Sequence, residues 1–381
     1  MKKRTNLRKH SDIPRAQGVA LIMAILITSL VSIAAVAMIT QQQLDIRRTQ
    51  NILHFDQAYL YVLGAEEWAK GYLGKDESKE YDFYPMAEEV DVIGWPIAED
   101  VKQSGIDIGG INGIITDATA GFPLNNLVDA NGVKDPDYVE VFEQLVLATL
   151  EFKPDFHNLV LDWIDKDDNV STGGAESLDY LNLPNRPYLA ANQAIASVSE
   201  LRLVLATADD PKNAPNDYAA LVRPNFDPMT VSSREDIERQ PLVNALPRGA
   251  KININTAPKA VLKALMDYVG LQDSQKAVDE FDEKRGEKPQ NKIDEFIGPL
   301  NKYVDGLKPK DPAPNSPEQL KYVAAQKRRD RVKADMIDVK SEYFYLTANS
   351  QIGDVNVTLI SLLHRDKDDK VTTLRRGLGV I

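Results

Sequence analysis

The sequence predicts an α+β chain: a long N-terminal helix crosses a membrane and then packs on an antiparallel sheet, and a large all-α domain is inserted in the sheet region. Three observations predict it. Val19 to Ile39 is an unbroken run of 21 uncharged residues. The C-terminal stretch from Glu342 alternates in the manner of strands. Between those strands and a candidate partner strand at Ile111 to Asp117 lie roughly 200 residues of helical pattern, far too many for a loop.

At about 1.5 Å per residue the apolar run covers a hydrocarbon core of roughly 30 Å as a helix. A secretory signal peptide has a shorter apolar core with a small-x-small cleavage site behind it. Here the glycine, Gly18, precedes the run, and Thr40-Gln41-Gln42-Gln43 offers no such site. On the run alone, an ordinary single-pass anchor remains an equal reading. Lys2, Lys3, Arg4, Arg8, Lys9 and Arg15 against Asp12 keep the leading end in the cytoplasm and place the bulk outside.

The junction Arg15-Ala16-Gln17-Gly18, followed directly by Val19-Ala20-Leu21-Ile22, resembles the class III leader of type IV pilins and type II secretion pseudopilins. The resemblance implies that a prepilin peptidase cuts between Gly18 and Val19 and that Val19 becomes an N-methylated mature terminus. The fifth mature residue of that family is normally Glu, and here it is Met23. A carboxylate in the apolar layer costs a few kcal/mol unless paired, so it persists where the subunit ahead offers an ammonium. Its absence resembles the K-type minor pseudopilins and implies a subunit with nothing ahead of it, at the filament tip.

Composition bounds the chemistry. The 381 residues are 43% hydrophobic and include no cysteine, which excludes thiol catalysis, disulfides and zinc-thiolate sites. Past the leader stand 39 basic and 56 acidic residues, a net charge of −17 that repels nucleic acid.

Beyond the anchor, Ile52, Phe55, Tyr59, Val62, Ala65, Ala69 and Tyr72 recur at gaps of three and four and predict one buried helical stripe, ended by Gly71 and Gly74. Asp45, Arg47, Arg48, Glu67 and Lys70 fall on the solvated faces. Glu342 to Ala348, Val355 to Arg365 and Lys370 to Leu378 predict strands, with turns at Ile352-Gly353-Asp354 and Asp366 to Asp369. They suggest the antiparallel meander usual in pilins.

Within the insert, Tyr138 to Leu150 and Phe156 to Ile164 carry helical periodicity, and Ser197 with Glu200 has capping-box spacing. Thr256 is expected to cap a helix through Val261, Leu262, Leu265 and Met266, with Pro258 in its first turn. Leu161-Asp162-Trp163-Ile164-Asp165, Gly173-Gly174-Ala175-Glu176 and Asn253-Ile254-Asn255-Thr256-Ala257 resemble the K-type family's helical insertion, so the resemblance covers essentially the whole chain. The boundaries are 1–18 for the leader, 19–40 and 41–74 for the transmembrane and periplasmic parts of the first helix, 75–122 for the first part of the pilin-like sheet, 123–335 for the inserted domain and 336–381 for the C-terminal strands.

Asp165, Asp167, Asn169, Ser171 and Glu176 fall at positions 1, 3, 5, 7 and 12 of a calcium loop, an oxygen-only spacing suited to a hard cation. Val170 departs from the pattern, because the sharp turn wants Gly there. The residues alone favour a solvated acidic loop with Asx-turns. The resemblance to K-type pseudopilins implies one or two calcium ions, with Asp168 and Asp179 as further ligands.

Other readings are weaker. The Asn-Ile-Asn-Thr-Ala segment is similar to the opening of helix-hairpin-helix DNA-binding modules, but Tyr268-Val269-Gly270-Leu271-Gln272-Asp273 lacks their Gly-x-Gly phosphate hairpin. His10, His54, His157 and His364 are scattered, with neither a Gly-x-Ser-x-Gly elbow nor a Walker loop, so no enzyme is expected. His157 beside Asp155 reads as a surface pair, Lys327-Arg328-Arg329-Asp330-Arg331 as a solvated helix face, and Lys308 to Pro317 as an exposed linker.

The resemblance thus implies a non-catalytic minor pseudopilin in the inner membrane, single-pass with its bulk in the periplasm. Its implied partners are the I-, J- and H-type minor pseudopilins, the major pseudopilin, the prepilin peptidase and the inner-membrane assembly platform. A tip pilin of a type IV pilus, adhesive or DNA-capturing, is the alternative.

Overall fold

Helix α1 runs unbroken for 59 residues, Arg15–Leu73, in the computed structural model, which describes residues 15–75, 82, 111–150, 155–183, 187–204, 219–223, 226–228, 238–310 and 315–379. The leader up to Pro14 and most of the stretch 75–122 lie outside the described residues. No proline interrupts α1, and Gly71 does not end it; the Gly74 N–H bonds to the Lys70 carbonyl at 3.0 Å just past the last turn. Its apolar part, counted from Gly18, is long enough to cross a membrane and is not buried by any of the described residues.

The buried line on α1 is Ala58, Val62, Ala65, Glu66, Ala69 and Leu73, which corrects the expected stripe at both ends. Ile52 (62% exposed), Phe55 and Tyr72 point outward. The small alanines let the helix backbone approach the sheet closely, and close packing sets the phase more strongly than aromatic bulk. The aromatics stack along the surface instead, Phe55 on Tyr59 and Trp68 on Tyr72. Lys70, expected to be solvated, pairs with Glu66 at 3.1 Å and Glu67 at 2.8 Å.

The sheet has the order β1-β6-β7-β8, with β1 at Ile111–Asp117, β6 at Tyr343–Ile352, β7 at Val355–Arg365 and β8 at Val371–Leu378, every neighbour antiparallel. Period-two alternation places Phe344, Leu346 and Ala348 against α1 with Ile115, Leu359 and Leu363. A register shift between Leu362 and Leu363 leaves Leu374 as the extra residue of β8. Such a bulge reverses which face the following side chains take. Thr373 and Arg376 therefore both reach Glu66 of α1, at 2.6 and 2.7 Å.

Strands β1 and β6 are hydrogen-bonded neighbours although residues 118–342 lie between them. That length builds its own core around Phe122, Phe142, Trp163, Tyr180, Tyr268, Phe281 and Phe296. Its elements are β2 (Phe122–Pro123), α2 (Pro136–Thr149), α3 (Phe156–Ile164), α4 (Ser177–Leu181), β3 (Val243–Asn244), β4 (Ile252–Asn253), α5 (Lys259–Val269), α6 (Ser274–Glu287), α7 (Asp294–Leu307), α8 (Pro317–Arg331) and β5 (Ile337–Asp338). The short strands pair in parallel, β2 with β3 and β4 with β5. Asp135 caps α2 through the N–H groups of Asp137 and Tyr138, and Gly270 ends α5 at φ +100°. The capping box of Ser197 and Glu200 forms as expected.

Several expectations within this body change. Pro258 itself is the N-cap of α5 and Thr256 caps nothing, because its hydroxyl is drawn to Asp117. Pro317 opens α8 with Ser316 as its cap rather than closing a linker. The basic run is not a solvated face: Arg328 pairs with Glu140 and with the Tyr268 carbonyl, Arg331 with Asp135 and Asp335, and Arg329 with Asn301. His157 is buried within α3.

The polarity of the whole is fixed by two close approaches. Added at Gly353, in the β6–β7 turn, a Cβ would stand 3.0 Å from His54 Nδ1; added at Gly74, past the far end of α1, it would stand 3.1 Å from the Asp369 carbonyl in the β7–β8 turn. Asp117, Tyr343 and Arg365 lie at that second end, so the helical body joins the sheet at its membrane-distal edge.

Candidate metal centre

Helix α3 is amphipathic, burying Phe156, Val160, Leu161, Trp163 and Ile164, yet its buried face also carries Asp162. Asp165 caps its C-terminus, and the chain returns through Gly173-Gly174 to Glu176, the N-cap of α4. Asp162, Asp165 and Glu176 are 0%, 6% and 2% exposed, and each offers an oxygen within 4.8 Å of the other two.

The return depends on two glycines. Gly173 has φ +71°, the left-handed region that glycine adopts without cost, and a Cβ on Gly174 would fall 2.0 Å from Asp162 Oδ2. That space lets the Ser171 N–H donate to Asp162 Oδ2 at 3.0 Å. Asp162 Oδ1, Asp165 Oδ1 and both Glu176 carboxylate oxygens have no hydrogen-bond partner among the described residues. Orphaned buried carboxylate oxygens are costly. Charges at this separation repel by about 3.5 kcal/mol per pair at an effective dielectric near 20.

The electrostatics follow. Burial, then the charges of Asp167 and Asp162, raises the Asp165 carboxyl to about 7. Burial, then Asp162 and Asp165, raises Glu176 to about 8, and burial likewise raises Asp162. A bound hard cation would relieve all three, and the carboxyl-terminal end of α3 adds the negative end of its helix dipole. Three carboxylates offer up to six oxygens, no nitrogen and no sulfur, which suits calcium rather than zinc. The residues present fit the ion.

Of the residues expected from the sequence, Asp165 and Glu176 come together here. Asp167 is exposed and accepts from the Asn169 backbone N–H at 2.9 Å and from its side chain at 2.5 Å, so those two satisfy each other. Asp168 turns outward towards the Asn192 amide. Ser171 contributes through its backbone to Asp162, and the Asp179 side chain accepts from the Glu176 N–H at 2.9 Å. Asp162 was missed. An acid in the apolar stripe of a helix, three residues before Asp165 and hence on the same face, is the signal that finds it. Gly18, Val19 and Met23 sit inside α1, with Val19 and Met23 exposed on its apolar part.

The family model described as type II secretion system (T2SS), protein K matches residues 120–216, the stretch that holds this centre. Type II secretion system protein K of Pseudomonas aeruginosa is 32% identical over 95% of this chain and 92% of its own length. The chain belongs to the type II secretion system protein K family. It is a minor pseudopilin of that secretion system. Protein K of Aeromonas hydrophila is 29% identical over 96% of this chain and 98% of its own. A chain of the GspK-GspI-GspJ complex of enterotoxigenic Escherichia coli shares the fold at TM-score 0.59 and 22% identity, over 88% of this chain and all of that one.

Proposed function

We propose that this minor pseudopilin stands at the tip of the pseudopilus, where it nucleates and caps the filament with the I- and J-type minor pseudopilins for export of folded proteins across the outer membrane. One observation carries the reading: the helical body is attached at the membrane-distal edge of the sheet, above the end of α1. The helix and sheet then serve as a pilin-like unit with a large inserted domain on top, leaving no room for a subunit above. The absence of a carboxylate at Met23 agrees with a subunit that has no predecessor, and the fold likeness to a chain of the GspK-GspI-GspJ complex supports the choice of partners.

The same reading includes cleavage after Gly18 by a prepilin peptidase, N-methylation of Val19, residence in the inner membrane with the bulk periplasmic, and contact with the H-type and major pseudopilins and the assembly platform. A type IV pilus tip pilin is not favoured, since the curated relatives are secretion-system proteins. Co-expression of the full chain with the I- and J-type pseudopilins, followed by affinity capture in detergent, tests the assembly. A chain recovered without either partner overturns it.

In this reading Asp162, Asp165 and Glu176 hold calcium, whose charge would offset the three carboxylates and fasten the end of α3 to the start of α4. Calorimetric titration of the full chain with calcium alone reads this out. Identical binding by Asp162→Asn, Asp165→Asn and Glu176→Gln variants would contradict the assignment.

A further inference from the structure

The Asn253-Ile254-Asn255-Thr256 motif takes no part in the metal centre, and its polar atoms converge elsewhere. One oxygen of Asp117, the last residue of β1, accepts from Thr256 Oγ1 at 2.5 Å, Ser341 Oγ at 2.5 Å and Asn253 Nδ2 at 3.1 Å. The other accepts from the Thr119 N–H at 2.7 Å and hydroxyl at 2.6 Å. Asn253 Nδ2 also donates to the Asp82 carbonyl, and the Asp82 carboxylate accepts from the Ser341 N–H and from Arg365 of β7. Asn253, Thr256 and Ser341 are buried.

This hub lies where two hydrophobic cores fail to merge. One core belongs to α1 and the sheet, the other to the helical body. Between them is a small cluster of Ala118, Leu246, Ala250, Tyr343 and Leu362. Apolar contact has no preferred direction and tolerates rotation. Hydrogen bonds to the half-buried Asp117 carboxylate impose direction, and the buried donors Asn253, Thr256 and Ser341 lose a partner if they break. A cleft of about 420 Å³, lined by Lys251, Lys340 and Lys367 together with Asp82, Thr119 and Ser341, opens beside the hub.

We propose that Asp117, Asn253, Thr256 and Ser341 form a polar lock that fixes the orientation of the helical body on the sheet, so that both move as one piece with α1. The lock stands independently of the tip and calcium readings. The chain has no cysteine, so Thr372→Cys on β8 and Lys276→Cys on α6, both exposed, take a spin-label pair without background. Double electron–electron resonance on the full chain in detergent should give one narrow distance distribution. Asn253→Ala should broaden it at least twofold while the helical circular dichroism is unchanged. An unchanged width in folded Asn253→Ala overturns the lock. Should that variant fail to fold, Ser341→Ala, which removes one hydroxyl, gives the deciding measurement, and an unchanged width there overturns the lock equally.

Discussion

Arg376 of β8 grips Glu66 of α1 with both edges of its guanidinium, Nε to Oε2 at 2.8 Å and Nη2 to Oε1 at 2.7 Å, where the carboxylate is fully buried. Ser361 and Thr373 donate to the same carboxylate at 2.6 Å each, and Lys70 lies 3.1 Å away. Burial alone would raise the Glu66 pKa, but these partners outweigh it and hold the group at about 2.

Removing the partner of a buried charge costs about 3–5 kcal/mol when both groups are buried, and less here because Arg376 is 39% exposed. Arg376→Met is expected to lose stability below the low end of that range, since Lys70 also remains. Urea unfolding of the full chain at pH 7 checks it. The Glu66 pKa is depressed from 4.5, so its contribution is complete above that value and disappears as pH falls towards 2. The gap between wild type and variant should therefore close on acidification; a constant gap would show that packing alone was lost.

For the metal centre, Asp162→Asn and Glu176→Gln are expected to weaken calcium binding at least a hundredfold. Asp167→Ala and Asn169→Ala should change it by less than threefold, because those two side chains pair with each other in solvent. Trp163 lies between Asp162 and Asp165 in sequence and is buried. It should sensitise terbium luminescence on binding, and equal loss of that signal in all four variants would favour a looser loop site.

Acid should compete with the cation. Ion-free Asp165 and Glu176 are raised to about 7 and about 8, so their folded-state contribution is full below pH 4 and is lost as pH climbs through those values. Calcium takes the deprotonated forms, so affinity should rise between pH 6 and pH 8 by about tenfold per unit for each proton displaced. Titrations in buffers of different ionisation enthalpy count those protons; a flat affinity rules the carboxylates out.

Gly174→Ala puts a methyl 2.0 Å from Asp162 Oδ2. The loop must shift, at a cost of about 1–3 kcal/mol. Thermal unfolding should register that loss, and the calcium stabilisation of wild type should be absent or reduced. A variant as stable as wild type with full binding would mean that the loop closes differently.

What the sequence showed depended on the range of the interactions. α1, β1, β6, β7 and β8 were legible because their patterns are local: an uncharged run, period-two alternation, and turn residues at Gly353 and Asp366. The middle of the stripe on α1, Val62, Ala65 and Ala69, is buried as the pattern predicts, but its ends at Ile52, Phe55 and Tyr72 are exposed, because Ala58, which packs against the sheet, is a weak hydrophobic signal. Thr256 was misassigned because its partner Asp117 is 139 residues away, and its spacing from Pro258 imitates a helix cap. Asp165 and Glu176 were found as parts of a contiguous loop. Asp162 was hidden in a helical stripe that otherwise reads as core.

The first residue of α1 to be buried is Ala58, 19 positions beyond the end of the apolar run at Ile39. At 1.5 Å per residue the globular mass begins about 22 Å beyond the apolar run, where His54 meets the β6–β7 turn at Gly353, and the whole 59-residue rod is about 88 Å long. Without a proline to bend it, the rod behaves as a boom pivoted in the bilayer. A tilt of about 10° at its foot swings the far end by about 15 Å, so small rearrangements around the apolar end of the helix become large lateral excursions of the globular head.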